Sequence, residues 1–324
     1  MSSRRYLFTC LSAVLLAGLA WTPFARAQEG RVVTIIVPFA PGGGNDIIAR
    51  ELGRQLIDTL KTNVIIDNRA GAGGLIAAKN TAAAPPNGLT LMFVSSSVVT
   101  TAAVRKQEPY NIAKDFTSIA MIGRGPFLVV ASNASGLKTI GDVVTRSKQK
   151  PGSLNFVSSG VGSILHLSTE LFMKRAGITM THVPYSGSGP ALMDLVAGRA
   201  DLFITTVPVV ASHVQEKTLT LLASTGDERS NVFPDAPTLA EGGVKGAGLY
   251  TLWGIVGPPN MAPDLVAHLN KAVNDAAASP AMVKRFAEEG ASSYRGTPEE
   301  FAKVLEEERA TWRRVVEDGN LFTN

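Results

Sequence analysis

The sequence predicts an α/β protein built from two βα halves of similar layout, completed by a helical C-terminal part. Two observations carry this reading. Short β-branched runs alternate with segments of helical periodicity from Val32 to Ser224, the pattern of βαβ units with parallel strands. A strand, a glycine-rich turn and a helix then occur in the same order twice, around residues 39–46 and around residues 158–163.

The run VVTIIVP at residues 32–38 reads as a strand. Ile47, Ile48, Leu52, Leu56 and Leu60 follow at helical spacing. Residues 64–66 read as a strand, the segment to about Ala83 as a small-residue helix, and residues 89–94 as a third strand. The second half repeats the plan. Strands are expected at 127–132, 154–157, 181–183, 201–205 and 220–224, with helices at 140–148, after 163, at 190–197 and at 208–216. The C-terminal part is helical. Residues 263–278 are amphipathic, Ser279-Pro280 opens another helix, and Thr297-Pro298-Glu299-Glu300 reads as a capping box. The apolar stripe Phe301, Val304, Leu305, Trp312, Val315 and Val316 behind that box is core packing.

The chain has 324 residues, of which 45% are hydrophobic and 18% charged, a globular profile. Its formal charge is +4, but Arg4, Arg5 and Arg26 lie in the first 27 residues, where there is no acid. Past that point 28 basic residues face 27 acidic ones, so the chain has no basic footprint for nucleic acid. The order of charge at Arg4-Arg5, apolar run at Leu7–Ala20 and small residues at Ala25-Arg26-Ala27 reads as a signal peptide, residues 1–27, cleaved before Gln28. The one cysteine, Cys10, falls within it, which excludes a disulfide, thiolate catalysis or a cysteine metal site in the exported chain. The four histidines, 166, 182, 213 and 268, show no metal-ligand spacing, and no cofactor is expected.

The two glycine-rich turns are the informative chemistry. Each leads from a strand into a helix, where glycine lets the backbone approach a ligand and the first-turn amides are unpaired and partly positive. Such turns suit a carboxylate or phosphate. No Gly-Lys-Ser/Thr follows residues 41–46, so this is no Walker loop. The runs 71–76 and 160–165 have Ile76 and Leu165 where a dinucleotide fingerprint needs glycine. Ser163 and His166 stand three apart, so a hydrolase using that pair is the alternative function of another class. No Gly-x-Ser-x-Gly elbow supports it.

With these residues in view, the chain from 28 to 319 resembles the solute receptors of tripartite tricarboxylate transporters, the Bug or TctC-like family. The resemblance rests on an ordered series: residues 38–46, 68–74, 85–88, 110–116, 154–163 with His166-Leu167, His182-Val-Pro-Tyr185, and Pro234-Asp-Ala-Pro-Thr238. It implies a type II periplasmic binding protein fold, two βα domains joined by a two-crossover hinge. Domain 1 would comprise residues 28–126 and return with 251–324, and domain 2 would comprise 127–250. It implies an exported, periplasmic, monomeric receptor that is no enzyme and binds a small organic acid between the domains. Its partners would be the membrane subunits of the transporter; a ligand-presenting sensor has the same features. Carried over by position, one carboxylate would meet Phe39, Ala40, Gly43 and Asp46, with Gly73 and Ser95 nearby. The other would meet Ser158, Ser159, Gly162, Ser163 and His166, with Tyr185 and Ser188 on the second wall. Asn45 stands where the family usually has Thr or Ser, and Thr205-Thr206 where many members have Asp-Asn. Thr205 is therefore expected to offer the ligand a hydroxyl.

Overall fold

The computed structural model describes residues 32–288 and 290–322; the expected signal peptide lies outside them. The first half opens with β1 (Val32–Val37), α1 (Gly44–Leu60), β2 (Asn63–Asn68), α2 (Leu75–Ala82), β3 (Thr90–Ser95) and α3 (Ser96–Ala103). β1 lies between β2 and β3 and runs parallel to both. α1 forms because Ile48, Leu52 and Leu56 recur every four residues and all bury on one face.

The second half runs through β4 (Thr117–Ser132), α4 (Ile140–Gln149), β5 (Asn155–Ser158), α5 (Ile164–Ala176) and β6 (Thr181–Pro184). It continues with α6 (Ser188–Val196), β7 (Leu202–Thr206), α7 (Val207–Gln215) and β8 (Leu219–Ser224). Here β5 is the middle strand, parallel to β6 and β7. The chain then returns through β9 (Tyr250–Gly257), α8 (Pro263–Ala277), α9 (Pro280–Glu288), β10 (Ser292–Ser293) and α10 (Pro298–Gly319). The expected capping box is present: Thr297 Oγ1 accepts from Glu300 N, and the Glu300 side chain accepts from Thr297 N.

The strands of the βαβ units pair in parallel as expected, and β4 and β9 make the sheet as a whole mixed. Its order is β2-β1-β3-β9-β4-β7-β5-β6, and β9 and β4 are antiparallel to their neighbours. These two strands carry the chain between the halves, so each enters the other half's sheet from the far end. β4 changes partner along its length. Its residues up to Pro126 pair with β9, and from Phe127 it pairs with β7 and β8.

Hydrophobic side chains gather in three clusters. Two form around β1, β3 and β9, and one forms around β5, β7 and the end of β4. α10 belongs to both sides. Phe301 and Leu305 pack with α3 and β9, whereas Trp312 and Val316 pack with the second-half cluster. The approach at Phe301 is close enough that a Cβ on Gly254 of β9 would overlap its ring. Among the described residues no helix is long and apolar enough to cross a membrane.

Candidate functional site

The first wall is the turn between β1 and α1. Gly42 adopts φ 82, a left-handed conformation that glycine takes without strain. Asp46, one turn into α1, holds this turn in place. Its Oδ2 accepts from Gly42 N at 3.0 Å and from Arg50 Nε at 2.9 Å, and its Oδ1 accepts from Asn68 Nδ2 at 2.9 Å. Asn68 also donates to Phe39 O at 3.1 Å. Burial pushes the Asp46 carboxyl up, but the Arg50 guanidinium, the Gly42 amide and Asn68 outweigh it and hold its pKa below the usual carboxylate range. Asp46 is thus an ionised brace, with both oxygens turned to the protein.

Three successive serines close this wall. Ser95 Oγ accepts from Asn45 Nδ2 at 3.1 Å. Ser96 Oγ accepts from Leu252 N at 3.0 Å, tying α3 to β9. Ser97 Oγ reaches across to accept from Ile164 N, the first amide of α5, at 3.2 Å.

The second wall starts from the turn between β5 and α5. Phe156, His182 and His166 stack, with centroids 4.8 Å apart for the first pair and 4.1 Å for the second. Ser158 Oγ lies 2.7 Å from His182 Nε2. Burial, together with the neighbouring His166, pushes His182 down to about 3, so it is neutral at physiological pH. His166 Nδ1 accepts from Gly162 N at 3.2 Å, which places the neutral ring's proton on Nε2, 3.5 Å from Glu170 Oε1. Ser163 Oγ accepts from the backbone N of His166 at 3.3 Å. The pair that the hydrolase alternative needs is therefore a helix cap beside a turn-holding ring. The hydroxyl and the imidazole are engaged with different backbone amides.

Opposite the first turn stands the loop into α6. A Cβ on Gly187 would lie 3.2 Å from Ala40 Cβ, and one on Gly189 would lie 3.1 Å from Pro41 O. Between the walls is a cavity with about 20 Å³ open to a water-sized sphere. The first half contributes Phe39, Gly43, Gly44, Asn45, Ser95 and Ser97. The second contributes Phe127, Ser159, Ile164, Leu165, Ser188 and Thr206, and Thr251 of β9 completes the lining. Space of that size admits about one water, for which about 10–15 Å³ is enough, and lies far below the roughly 300 Å³ of common ligand pockets, so the two walls are closed upon each other.

Of the residues expected to meet a ligand, Phe39, Gly43, Ser95, Ser159 and Ser188 line this cavity. Ala40 instead faces Gly187, and Gly73 lies in the short helical turn Ala72–Gly74. Ser158, Gly162, Ser163 and His166 form the layer behind, and a Cβ on Gly162 would meet Val104 Cγ1 at 2.6 Å. Tyr185 hydrogen-bonds its hydroxyl to Asp194 away from the cavity. Thr205 points to the other face of β7, where its Oγ1 is buried without a hydrogen-bond partner, while Thr206 lines the cavity. Side chains alternate along a strand, so a reading displaced by one residue selects the wrong face. Among the described residues no cluster of three or more His, Cys, Asp or Glu side chains could hold a metal ion.

Comparison with known proteins agrees with this architecture. Residues 48–321 match the model of the tripartite tricarboxylate transporter family receptor. The chain is 34% identical to the protein BugT of Bordetella pertussis, over 94% of either sequence. A Rhodopseudomonas palustris protein solved with adipate superposes with a TM-score of 0.86 at 32% identity, covering 91% of this chain and 99% of that one. MatC from the same organism, with bound malate, gives 0.85 at 31% identity, covering 89% and 99%. A periplasmic receptor fold, a cavity shared by two βα halves and a family match over most of its length converge on one assignment: the chain belongs to the receptor family of tripartite tricarboxylate transporters.

Proposed function

We propose that this receptor captures a small carboxylate-bearing organic acid between its two halves in the periplasm and passes it to the membrane subunits of a tripartite tricarboxylate-type transporter. The observation that carries this reading is the cavity itself, lined by the start of α1 on one wall and by Ser159, Ser188 and Thr206 on the other. The α1 amides and the surrounding hydroxyls suit a carboxylate without any arginine clamp. The ligands bound by the R. palustris relatives, adipate and malate, are of this class.

The lobes in this reading are residues 28–126 with 251–324, and 127–250. The change of partner along β4 at 126/127 and the start of β9 at Tyr250 support those boundaries. The strands that cross there supply the hinge. A cavity of water size must open to admit an acid, so ligand enters between parted lobes and is sealed by a hinge motion. Native mass spectrometry of freshly purified periplasmic protein tests the reading. A copurified organic acid, exchangeable for added dicarboxylate, is expected. A protein that neither carries nor takes up any acid would contradict it.

A further inference from the structure

The polar side chains of the cavity are Asn45, four serines, Thr206 and Thr251, all of them neutral. The acids closest along the chain to these walls are spoken for. Asp46 is held by Gly42, Arg50 and Asn68; Asp194 by Tyr185 and Arg199. Glu170 faces the His166 ring, and Asp201 Oδ2 accepts from Asn155 N at 2.7 Å. Thr206 stands apart from these. It is the N-cap residue of α7, a position where threonine commonly bonds the first turn, yet its side chain makes no capping hydrogen bond. The hydroxyl faces Gly44 at the start of α1 instead.

Resting on the receptor function proposed above, we infer that the cleft selects acids carrying a hydroxyl or carbonyl oxygen between their carboxylates, rejects α-amino acids, and makes this choice through the Thr206 hydroxyl. An ammonium taken from water needs an anionic partner or several carbonyls. No side chain lining this cavity supplies an anion, and the lining lies at the starts of α1, α3, α5, α6 and α7, where the unpaired backbone groups are N–H donors. The partial positive charge at the start of α1 opposes a cation further. A hydroxyl both donates and accepts, so Thr206 serves an alcohol or a keto oxygen equally. Asn45 and Ser95, already bonded to each other, leave the Ser95 O–H to donate toward the same space.

The test is titration calorimetry of wild type with malate against aspartate, with 2-oxoglutarate against glutamate, and with adipate as an acid of unsubstituted interior. Malate and 2-oxoglutarate are expected to bind at least about tenfold more tightly than their amino counterparts, a modest penalty for an unpaired ammonium. Thr206→Asp is expected to reverse the preference within the malate–aspartate pair; should its melting curve show a misfolded protein, Asn45→Asp takes its place. Amino acids binding as well as the oxygenated acids, or adipate binding while neither group does, would overturn the selection and leave the carboxylate receptor standing. Binding of none of the five acids would overturn both.

Discussion

Gly44 and Thr206 face each other across the cleft, and the missing side chain of one makes room for the hydroxyl of the other. A Cβ built on Gly44 would fall on Thr206 Oγ1, with Thr206 Cβ only 3.3 Å away. Gly44 has an ordinary helical backbone, so its role is spatial. Gly44→Ala is therefore expected to hinder closure while leaving the fold intact, since alanine favours a helix over glycine. Forcing such an overlap costs about 1–3 kcal/mol, which weakens ligand binding about fivefold to 150-fold. Small-angle scattering with saturating acid should show the variant failing to contract as wild type does. Thr206→Ala in the same chain should restore the contraction. A Gly44→Ala protein that contracts normally would remove Gly44 from the closing surface.

The glycines at 43 and 162 are expected to behave oppositely. Gly43 has φ −83, a Cβ there would make only ordinary contacts at 3.7 Å with Ala40 O and Ser188, and it is the N-cap of α1. Gly43→Ser should keep or raise the melting temperature, because serine is a favoured cap. Gly162 has φ 78 and lies against Val104, so Gly162→Ala should lower stability by about 1–2 kcal/mol from the left-handed backbone alone. Equal melting temperatures for Gly162→Ala and wild type would contradict both the left-handed backbone at Gly162 and its close approach to Val104.

His182 makes stability pH-dependent with a definite sign. Its folded pKa of about 3 lies below its ordinary 6.5, so between these values the unfolded chain binds a proton that the folded one excludes. Stability from this group is complete above pH 6.5 and falls as the pH drops toward 3. His182→Gln should flatten that slope in denaturant titrations run from pH 7 to 4. An unchanged slope would show that His182 is not held neutral.

Glu308 on α10 works in the reverse direction. Its carboxyl is buried beside Ser96, with Trp312 Nε1 donating to Oε1 at 3.4 Å and Oε2 unpaired. Burial pushes it up to about 7 from an ordinary 4.5, although Ser96 and Trp312 oppose the rise. Stability from this group is complete below pH 4.5 and is lost as the pH rises through 7. Glu308→Gln keeps the Trp312 acceptor without the charge. Its advantage over wild type should be absent at pH 4, grow toward pH 8, and be read by the same titrations. A stability difference between the variant and wild type that stays the same from pH 4 to pH 8 would show that burial does not raise the Glu308 carboxyl.

The βα plan was legible because it rests on local pattern. β1, α1 and the capped α10 are visible in β-branched runs, four-residue spacing and Thr297-Pro298-Glu299-Glu300. What escaped has physical causes. α3 is rich in valine, serine and threonine, all middling helix formers, and it owes its helix to complete burial of every residue. The first part of β4 carries Gly123, Gly125 and Pro126, which read as breakers, yet the two glycines admit Phe286, Trp253 and Ala291 at close range. β9 lies far along the chain from the strands it joins, and no local signal announces such a pairing. The same holds for the cleft. The 39–46 turn was readable, whereas Gly44, Ser97, Phe127 and Thr251 line the cavity only because distant segments fold together.

A ligand held between the halves is tested most directly at Ser188, which stands 3.7 Å from the Cβ position of Gly43 across the cleft. Calorimetric titration of wild type with a panel of four- to six-carbon dicarboxylates should give at least one acid binding at a single site. Ser188→Trp fills the space between the walls, and with its melting curve intact it should bind none of them. Undiminished binding by a folded Ser188→Trp protein would place the ligand elsewhere and contradict the cleft as the binding site.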